Sequence, residues 1–504
     1  MDNLVQIHNG VAISRADIPC LSPENFGQTL ADFVKNDGFV VHFFAYAEHG
    51  GHRLLAVLRN DKLYATGCEV GAEFPSLTGW VSEKFHMFER EIAEQFGILP
   101  TAHPWLKMVR YHPNYAGRAD VFGNDYQNEE IPGRYDCFKV EGEAIHEVAV
   151  GPVHAGIIEP GHFRFQCAGE EVLHLEIQLG YQHRGVEKML PTVAQRRLPI
   201  ICEAIAGDTA VGHNLCCCQA IEALAGLTVD AGAKLVRTIA LELERIANHL
   251  GDLGALSGDV AFNPPAAYFG RMRGDFLNLL QVLCGNRFGK GLVRPGGVAF
   301  VMAAEQRKLI IDKLDEIEPQ VKNVCDLLFT AHTVQARFEG TGPVSREMAA
   351  DLGLVGYAGR ACGLAYDARV AFPTECYGQL PHNTNEMTNG DVYSRASVRR
   401  EEIMHSLALI RLLLKRPETT AQAVMMEERP LAADSLVVTI NEGWRGEVSH
   451  CVLTAADGSI LRYKVKDPSF HNWTGLAMSL RNQGISDFPL CNKSYNLSYC
   501  GFDL

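Results

Sequence analysis

The sequence predicts an α+β fold, with an α/β module at the N-terminus, a large and mainly helical core, and a small β segment before the C-terminus. Three observations carry this. Strand-like runs and then a helical pattern fill residues 38–96. Apolar stripes at helical spacing dominate residues 170–420, and after Pro430 the hydrophobic period changes to two. A chain of 504 residues, 47% of them hydrophobic, can build a sizeable core. Its length sets a prior of ~2 to 4 domains.

The elements follow in order. F-V-V-H-F-F-A-Y, R-L-L-A-V-L-R and K-L-Y-A-T-G-C read as strands, with Gly50-Gly51 turning the chain between the first two. Phe85, Phe88, Ile92 and Phe96 share a helical face that Gly97 ends. Residues 112–136 are rich in Pro, Gly, Asn and Asp and read as linker. In the core, Leu235, Val236, Ile239, Leu243, Ile246 and Leu250 form a stripe that Gly251 is expected to stop. Leu309, Leu314, Ile317, Val321, Val324 and Leu328 form another, with Pro319 expected to kink it, and residues 401–414 form a third. S-L-V-V-T-I, V-S-H-C-V-L-T and I-L-R-Y-K-V are strands, and Asp457-Gly458 is a hairpin turn. No internal repeat of ~20 to 50 residues is visible.

Composition excludes several classes. A net charge of −14, a pI near 5.8 and no basic patch argue against nucleic acid. The start, M-D-N-L-V-Q-I-H-N-G, lacks a basic and then apolar signal pattern. No window approaches the ~18 apolar residues of a membrane span. Fifteen cysteines in such a chain read as reduced cytoplasmic thiols. There is no C-x-x-C. The dense stretch C-E-A-I-A-G-D-T-A-V-G-H-N-L-C-C-C (202–218) is no metal site by spacing, because Cys216, Cys217 and Cys218 diverge by about 100° each on a helix. They read as small packing residues. Cys202, Cys491 and Cys500 share no metal spacing either. Walker A, strand-linked G-x-G-x-x-G, G-x-S-x-G and H-E-x-x-H motifs are absent.

What remains is a set of polar loops: G-P-V-H-A-G-I-I-E-P-G-H (151–162), H-R-G-V-E-K (183–188), R-P-G-G-V (294–298), R-F-E-G-T-G (337–342), D-P-S-F-H-N-W (467–473) and P-L-C-N-K-S-Y-N-L-S-Y near the end. With F-E-R-E-I-A-E-Q-F-G-I-L-P-T-A-H-P-W-L (88–106) before them, the chain resembles a fusion of the C-like and D-like subunits of complex I (NADH-quinone oxidoreductase). More closely, it resembles the large subunit of membrane-bound group 4 [NiFe]-hydrogenases of the hydrogenase-4 and formate hydrogenlyase type. The resemblance implies a complex I C-like α/β domain over 1–111, a linker over 112–144, and a complex I D-like or hydrogenase large-subunit-like domain over 145–504. That last domain is expected to carry a β-hairpin near its start.

The hydrogenases hold nickel and iron on four cysteines in two loops. Here A-G-D-T-A-V-G-H retains Gly207 and His213 of the first loop, with Ala206 and Thr209 at the ligand positions. D-P-S-F-H-N retains Asp467 and Pro468 of the second, with Ser469 and Asn472 there. Alanine has no donor, and neutral hydroxyls and amides are poor nickel ligands. The resemblance therefore implies no metal and no directly bound cofactor. Iron–sulfur clusters are expected on a partner small subunit, with integral membrane subunits, antiporter-like ones included, as further partners at the cytoplasmic face of the cell membrane.

The complex I relatives use the corresponding space for a quinone. His154 keeps their G-P-x-H pattern, His162 is displaced, and their tyrosine position falls on Gly207. Both histidines read either as pocket residues or as loop histidines bonded to backbone. Glu187, in R-G-V-E, corresponds to a proton-relaying glutamate of the hydrogenases. A raised pKa would suit that role, and an ion pair with Arg184 or another basic residue is the structural alternative. Glu187, His213 and Asp467 together are expected to form a hydrated polar pocket or proton relay. The reading is a subunit that couples electron flow to ion movement; a redox-silent scaffold and a hydrogenase with atypical ligands are the alternatives. After D-P-S-F the chain runs on in a tail that reads as an integral part of the fold.

Overall fold

The computed structural model describes residues 3–48, 50–116, 119–123, 137–156, 158–382, 384, 386–416 and 422–504. Residues 117, 118 and 124–136 of the stretch expected as linker lie outside them. The architecture is α+β, as the sequence predicts. Helix Pro23–Lys35 (α1) is capped by Ser22, whose hydroxyl accepts the Asn25 N–H. It packs beside an antiparallel sheet of β1 (Phe39–Glu48), β2 (Gly51–Arg59) and β3 (Leu63–Val70). The alternation of Val40, Phe43 and Ala45 against Val41, Phe44 and Tyr46 gives this sheet two apolar faces, both buried. One faces α1 and helix His86–Phe96 (α2), which Gly97 ends at φ 60°. The other packs on the C-terminal sheet: Phe39, Val41, Phe44 and Val57 share a core with Leu436, Val438, Ile440 and Leu453.

That second sheet contains β7 (Ser435–Gly443), β8 (Gly446–Thr454) and β9 (Ile460–Lys466), with the Asp457-Gly458 turn between the last two. A short strand from the chain's beginning, Ile13–Ser14, adds to β7. The two ends of the sequence thus complete one sheet. A three-stranded antiparallel sheet stands where the hairpin is expected: Ile145–Val150 (β4), His162–Ala168 (β5) and Glu171–Gln178 (β6).

The helical core is Ala210–Ala225 (α3), Ala231–Asp259 (α4), Asn263–Cys284 (α5), Ala304–Thr330 (α6) and Val392–Leu414 (α7). Asp230 caps α4, and its stripe Leu235, Ile239, Leu243, Ile246 and Leu250 is buried. Each such side chain contributes about 1.5–3 kcal/mol on burial. Gly251 does not stop this helix, which runs eight residues further to Asp259. Its lack of a side chain serves packing instead, because a Cβ there would lie 2.9 Å from Arg273 Cδ and Nε on α5. Helix α6 likewise runs unbroken through Pro319. Helix Ser469–Ser479 (α8) follows β9 directly, and Tyr499–Leu504 are buried. Asp503 accepts N–H bonds from Gly180 and Gln182 at 2.8–2.9 Å.

Burial pushes the Asp503 carboxyl up to about 7, against the backbone N–H groups and Arg110. A raised acid pKa gives stability that is present below the unfolded value and lost as pH rises through 7. Asp503→Asn should therefore lose less stability than the parent between about pH 5 and pH 8, read by thermal unfolding across that range.

Candidate functional site

The two loops that resemble metal loops meet beside the β7–β8 turn. Glu244 on α4 caps α3 from outside, accepting N–H bonds from Val211 (2.7 Å) and Gly212 (3.2 Å). This fixes the first turn, where His213 stands. On the other side, Asp467 ends β9, and its Oδ1 accepts the Ser469 N–H at 2.8 Å. The imidazole and carboxylate meet: His213 Nε2 lies 3.0 Å from Asp467 Oδ2, and both are buried. Burial pushes the Asp467 carboxyl up, but the His213 hydrogen bond and charge, with Arg445, hold it below its ordinary value. His213 Nδ1 lies 3.1 Å from His450 Nε2 on β8.

The four positions expected as vacated ligand positions are buried, and the three polar ones are committed to other bonds. Ala206 offers only a methyl group. Thr209 Oγ1 bonds Asp208 (3.2 Å) and accepts from Arg445 (3.2 Å). Ser469 Oγ accepts the Ser498 N–H at 2.9 Å. The Asn472 amide brackets one backbone residue, accepting from Val355 N–H and donating to Val355 C=O, each at 3.1 Å. Arg445 supplies the cation of this region. It grips Asp208 through both guanidinium ends (2.6 and 2.7 Å) and the Asn496 carbonyl through Nε (2.7 Å). Arg245 holds the strand end before it by the Glu442 and Gly443 carbonyls, and Trp444 Nε1 donates to Asp208 O.

Two glycines permit the close packing. Gly356 has φ +65°, and a Cβ on it would strike the Arg445 carbonyl oxygen. At Gly501 a Cβ would lie 2.7 Å from Asp467 Oδ2 and 2.8 Å from Ser498 Oγ. Gly501→Ala should therefore displace Asp467 from His213 and cost about 1–3 kcal/mol in thermal unfolding.

Glu187 lies in a different cluster from His213 and Asp467. Its carboxylate sits at the free edge of β9, accepting from Arg462 (2.8 Å), Lys464 (2.8 Å) and the Val465 N–H (3.0 Å). Lys464 also meets Glu91 (2.6 Å), which pairs with Arg110, and Arg462 donates to Gln95 (2.9 Å). Burial pushes the Glu187 carboxyl up, but Lys464, Arg462 and Arg110 overcome it and hold it far below the carboxylate range. The direction is opposite to the raised value a relay would use. The partners are Arg462 and Lys464, whereas Arg184 donates to the Ala204, Ile205 and Cys500 carbonyls. Among the described residues, Arg110 Nη2, Arg462 Nε and Tyr115 Oη are buried here with no hydrogen-bond partner. That is an environment for ordered water.

His154 Nε2 bonds the Gly161 carbonyl (2.8 Å) and His162 Nδ1 lies 3.3 Å from the Gly151 carbonyl. Both imidazoles are thus bonded to backbone. Cys216, Cys217 and Cys218 are buried free thiols; Cys216 turns to the Val448 carbonyl and Cys218 to Asn214. A pocket enclosing about 760 Å³ with its open mouth lies elsewhere, at the seam of α2 and α8, lined by Arg90, Trp105, His174, Met478 and Arg481 among others. None of the expected site residues lines it. Among the described residues no three His, Cys, Asp or Glu side chains are grouped to hold a metal ion.

Sequence reasoning missed Arg445, His450, Tyr463, Arg462 and Lys464. A signal existed for two of them: Arg462, Lys464 and Lys466 alternate along one strand, and a buried cationic face demands carboxylates.

Comparison with known proteins places these features. The family model of the respiratory-chain NADH dehydrogenase 49 Kd subunit matches residues 259–441. The C/D fusion chain of NADH-quinone oxidoreductase from Acidiphilium cryptum is 30% identical over 76% of this chain and 67% of its own. The chain belongs to this family. Hydrogenase-4 component G of Escherichia coli is 27% identical over 85% of this chain and 75% of its own length, and formate hydrogenlyase subunit 5 is 27% identical over 85% and 76%. The fold matches a chain of the membrane-bound sulfane sulfur reductase, an archaeal respiratory membrane complex, with a TM-score of 0.66 at 22% identity. That match covers 72% of this chain and 99% of the other. The family is one of oxidoreductase subunits in membrane-bound, multisubunit complexes. Among the described residues no helix is long and apolar enough to cross a membrane.

Proposed function

We propose that the chain is a core subunit of the peripheral arm of a membrane-bound, complex I-like or hydrogenase-4-like oxidoreductase, at the cytoplasmic face of the cell membrane. It couples electron transfer from a partner iron–sulfur subunit to ion movement through integral membrane partners, antiporter-like proteins among them. It does so without a nickel–iron centre of its own. The observation that carries this reading is the state of the four ligand positions. A methyl group, two hydroxyls and an amide occupy them, and the three polar ones are bonded to Arg445 or to backbone. Such a donor set does not fit nickel, for which soft thiolates are the suited ligands.

In this reading the chain's own residues supply orientation and proton handling. Arg445 fixes the first loop through Asp208 and Thr209, and Asp467 holds the His213 imidazole in a space closed to bulk water. A quinone site at His154 and His162 gains no support, because each imidazole already bonds a carbonyl.

A scaffold without redox function is the second reading. The engagement of Glu187 with two cations favours it, since a carboxylate held ionised moves no proton.

The test is purification of the tagged chain from its native membranes. An iron–sulfur subunit and integral membrane proteins should co-purify, and the assembly should move electrons and build an ion gradient. A monodisperse monomer recovered in good yield contradicts the proposal. An intact assembly without electron transfer selects the scaffold.

A further inference from the structure

The His213–Asp467 contact does not end at His450. His450 Nδ1 lies 2.8 Å from Tyr463 Oη on β9, and Tyr463 Oη lies 3.9 Å from Cys202 Sγ. Asp467, His213, His450 and Tyr463 thus form one unbroken hydrogen-bonded series at 3.0, 3.1 and 2.8 Å, with every member buried to at least 99%. They come from both former ligand loops and from two neighbouring strands, β8 and β9.

The series has two self-consistent polarities. With both imidazoles neutral and Asp467 ionised, Tyr463 O–H donates to His450 Nδ1, His450 Nε2–H to His213 Nδ1, and His213 Nε2–H to Asp467 Oδ2. One proton added to the His213–Asp467 pair reverses the rest. His213 Nδ1–H then donates to His450 Nε2, His450 Nδ1–H to Tyr463 Oη, and Tyr463 O–H turns to the Cys202 sulfur. No donor or acceptor in the series is left unpaired in either polarity, which is the condition for a buried chain to pass a proton without a stranded polar group.

We propose that Asp467, His213, His450 and Tyr463 form a proton-relay site, carrying one proton between the former ligand loops and the Cys202 side of the core. In the transfer toward Asp467, the Tyr463 O–H, His450 Nε2–H and His213 Nε2–H bonds break. The His450 Nδ1–H, His213 Nδ1–H and Asp467 Oδ2–H bonds form. The negative charge passes from the carboxylate to the phenol oxygen, which regains a proton from the Cys202 side.

Burial, with His213 and His42 beside it, holds His450 well below its ordinary pKa, so the proton crosses His450 and does not rest there. The charged and titratable groups facing the series are Arg445 and Asp208 at the Asp467 end, His42 and Glu187 near His450, and Cys202 and Cys217 at Tyr463. Glu187 acts on it only as a fixed charge.

The relay deepens the proposed function and rests on it for its use in coupling; its test does not depend on turnover. A fluorotyrosine placed at position 463 of the full chain, in the assembled complex, reports the hydroxyl's partner by its 19F resonance. From about pH 4 to about pH 9 that resonance should pass through a single transition. Asp467→Asn should abolish the transition, because the pair then has no carboxylate to exchange the proton. His450→Gln, which keeps hydrogen bonding and cannot relay, should abolish it as an independent arm. A resonance constant across the range, or a transition that both variants leave unmoved, overturns the relay. A complex with the transition but no ion gradient refutes the proposed function and leaves the relay standing.

Discussion

Glu187→Gln should destabilise the chain by about 3–5 kcal/mol at neutral pH, the loss found when one partner of a buried ion cluster is removed. Arg462 and Lys464 would remain buried, with Glu91 as the carboxylate left beside Lys464. The cluster joins α2 to β9, so the loss should appear as separation of the N-terminal sheet from the C-terminal one, measured as raised protease sensitivity between them and a lower unfolding temperature. The pH dependence has a definite sign. The folded carboxyl is held far below its unfolded value of about 4.3, so its contribution is fully present above about pH 5 and declines as pH falls below that. The parent's advantage over the variant should shrink in acid. An equal advantage at low and neutral pH would mean that the cluster contributes packing alone.

Asn472→Cys puts a thiol at the position where the resemblance to the hydrogenases implies a ligand, and it should destabilise the fold instead of preparing a metal site. The amide satisfies both the N–H and the C=O of Val355, and a thiol reaches neither with comparable strength. Two buried backbone groups left unpaired, at about 1–3 kcal/mol each, set the expected loss at about 2–6 kcal/mol. Val355 precedes Gly356, which lies against the Arg445 carbonyl, so the β7–β8 turn should loosen as well. Unfolding temperature and hydrogen exchange at residues 355–360 check this. A variant as stable as the parent would show that the bracket is dispensable.

What the sequence made readable is what local pattern encodes. The Asp457-Gly458 hairpin, the α2 face closed by Gly97 and the three strands from Phe39 to Val70 all appear where period and turn residues place them. Gly251 was misleading because a glycine that ends a helix and one that admits a neighbouring arginine look alike in one dimension. The site was readable in part. His213 and Asp467 stand in loops with a family pattern, and they do meet across 254 residues. The partners of Glu187 lie 275 and 277 residues away on an edge strand, beyond any local signal. His450 and Tyr463 sat in strands whose alternation explained them as ordinary sheet residues. Their contact with each other follows from the β8–β9 register, which sequence alone does not give.

The central claim is that the space where the resemblance would put a nickel–iron site is here held closed by Arg445, Asn472 and the His213–Asp467 pair. Metal analysis of the complex, purified from native membranes with its partners attached, tests it most directly. The account predicts iron in the amounts that partner iron–sulfur clusters require and no stoichiometric nickel, together with no hydrogen uptake or evolution. Nickel at one atom per copy of this chain would contradict it.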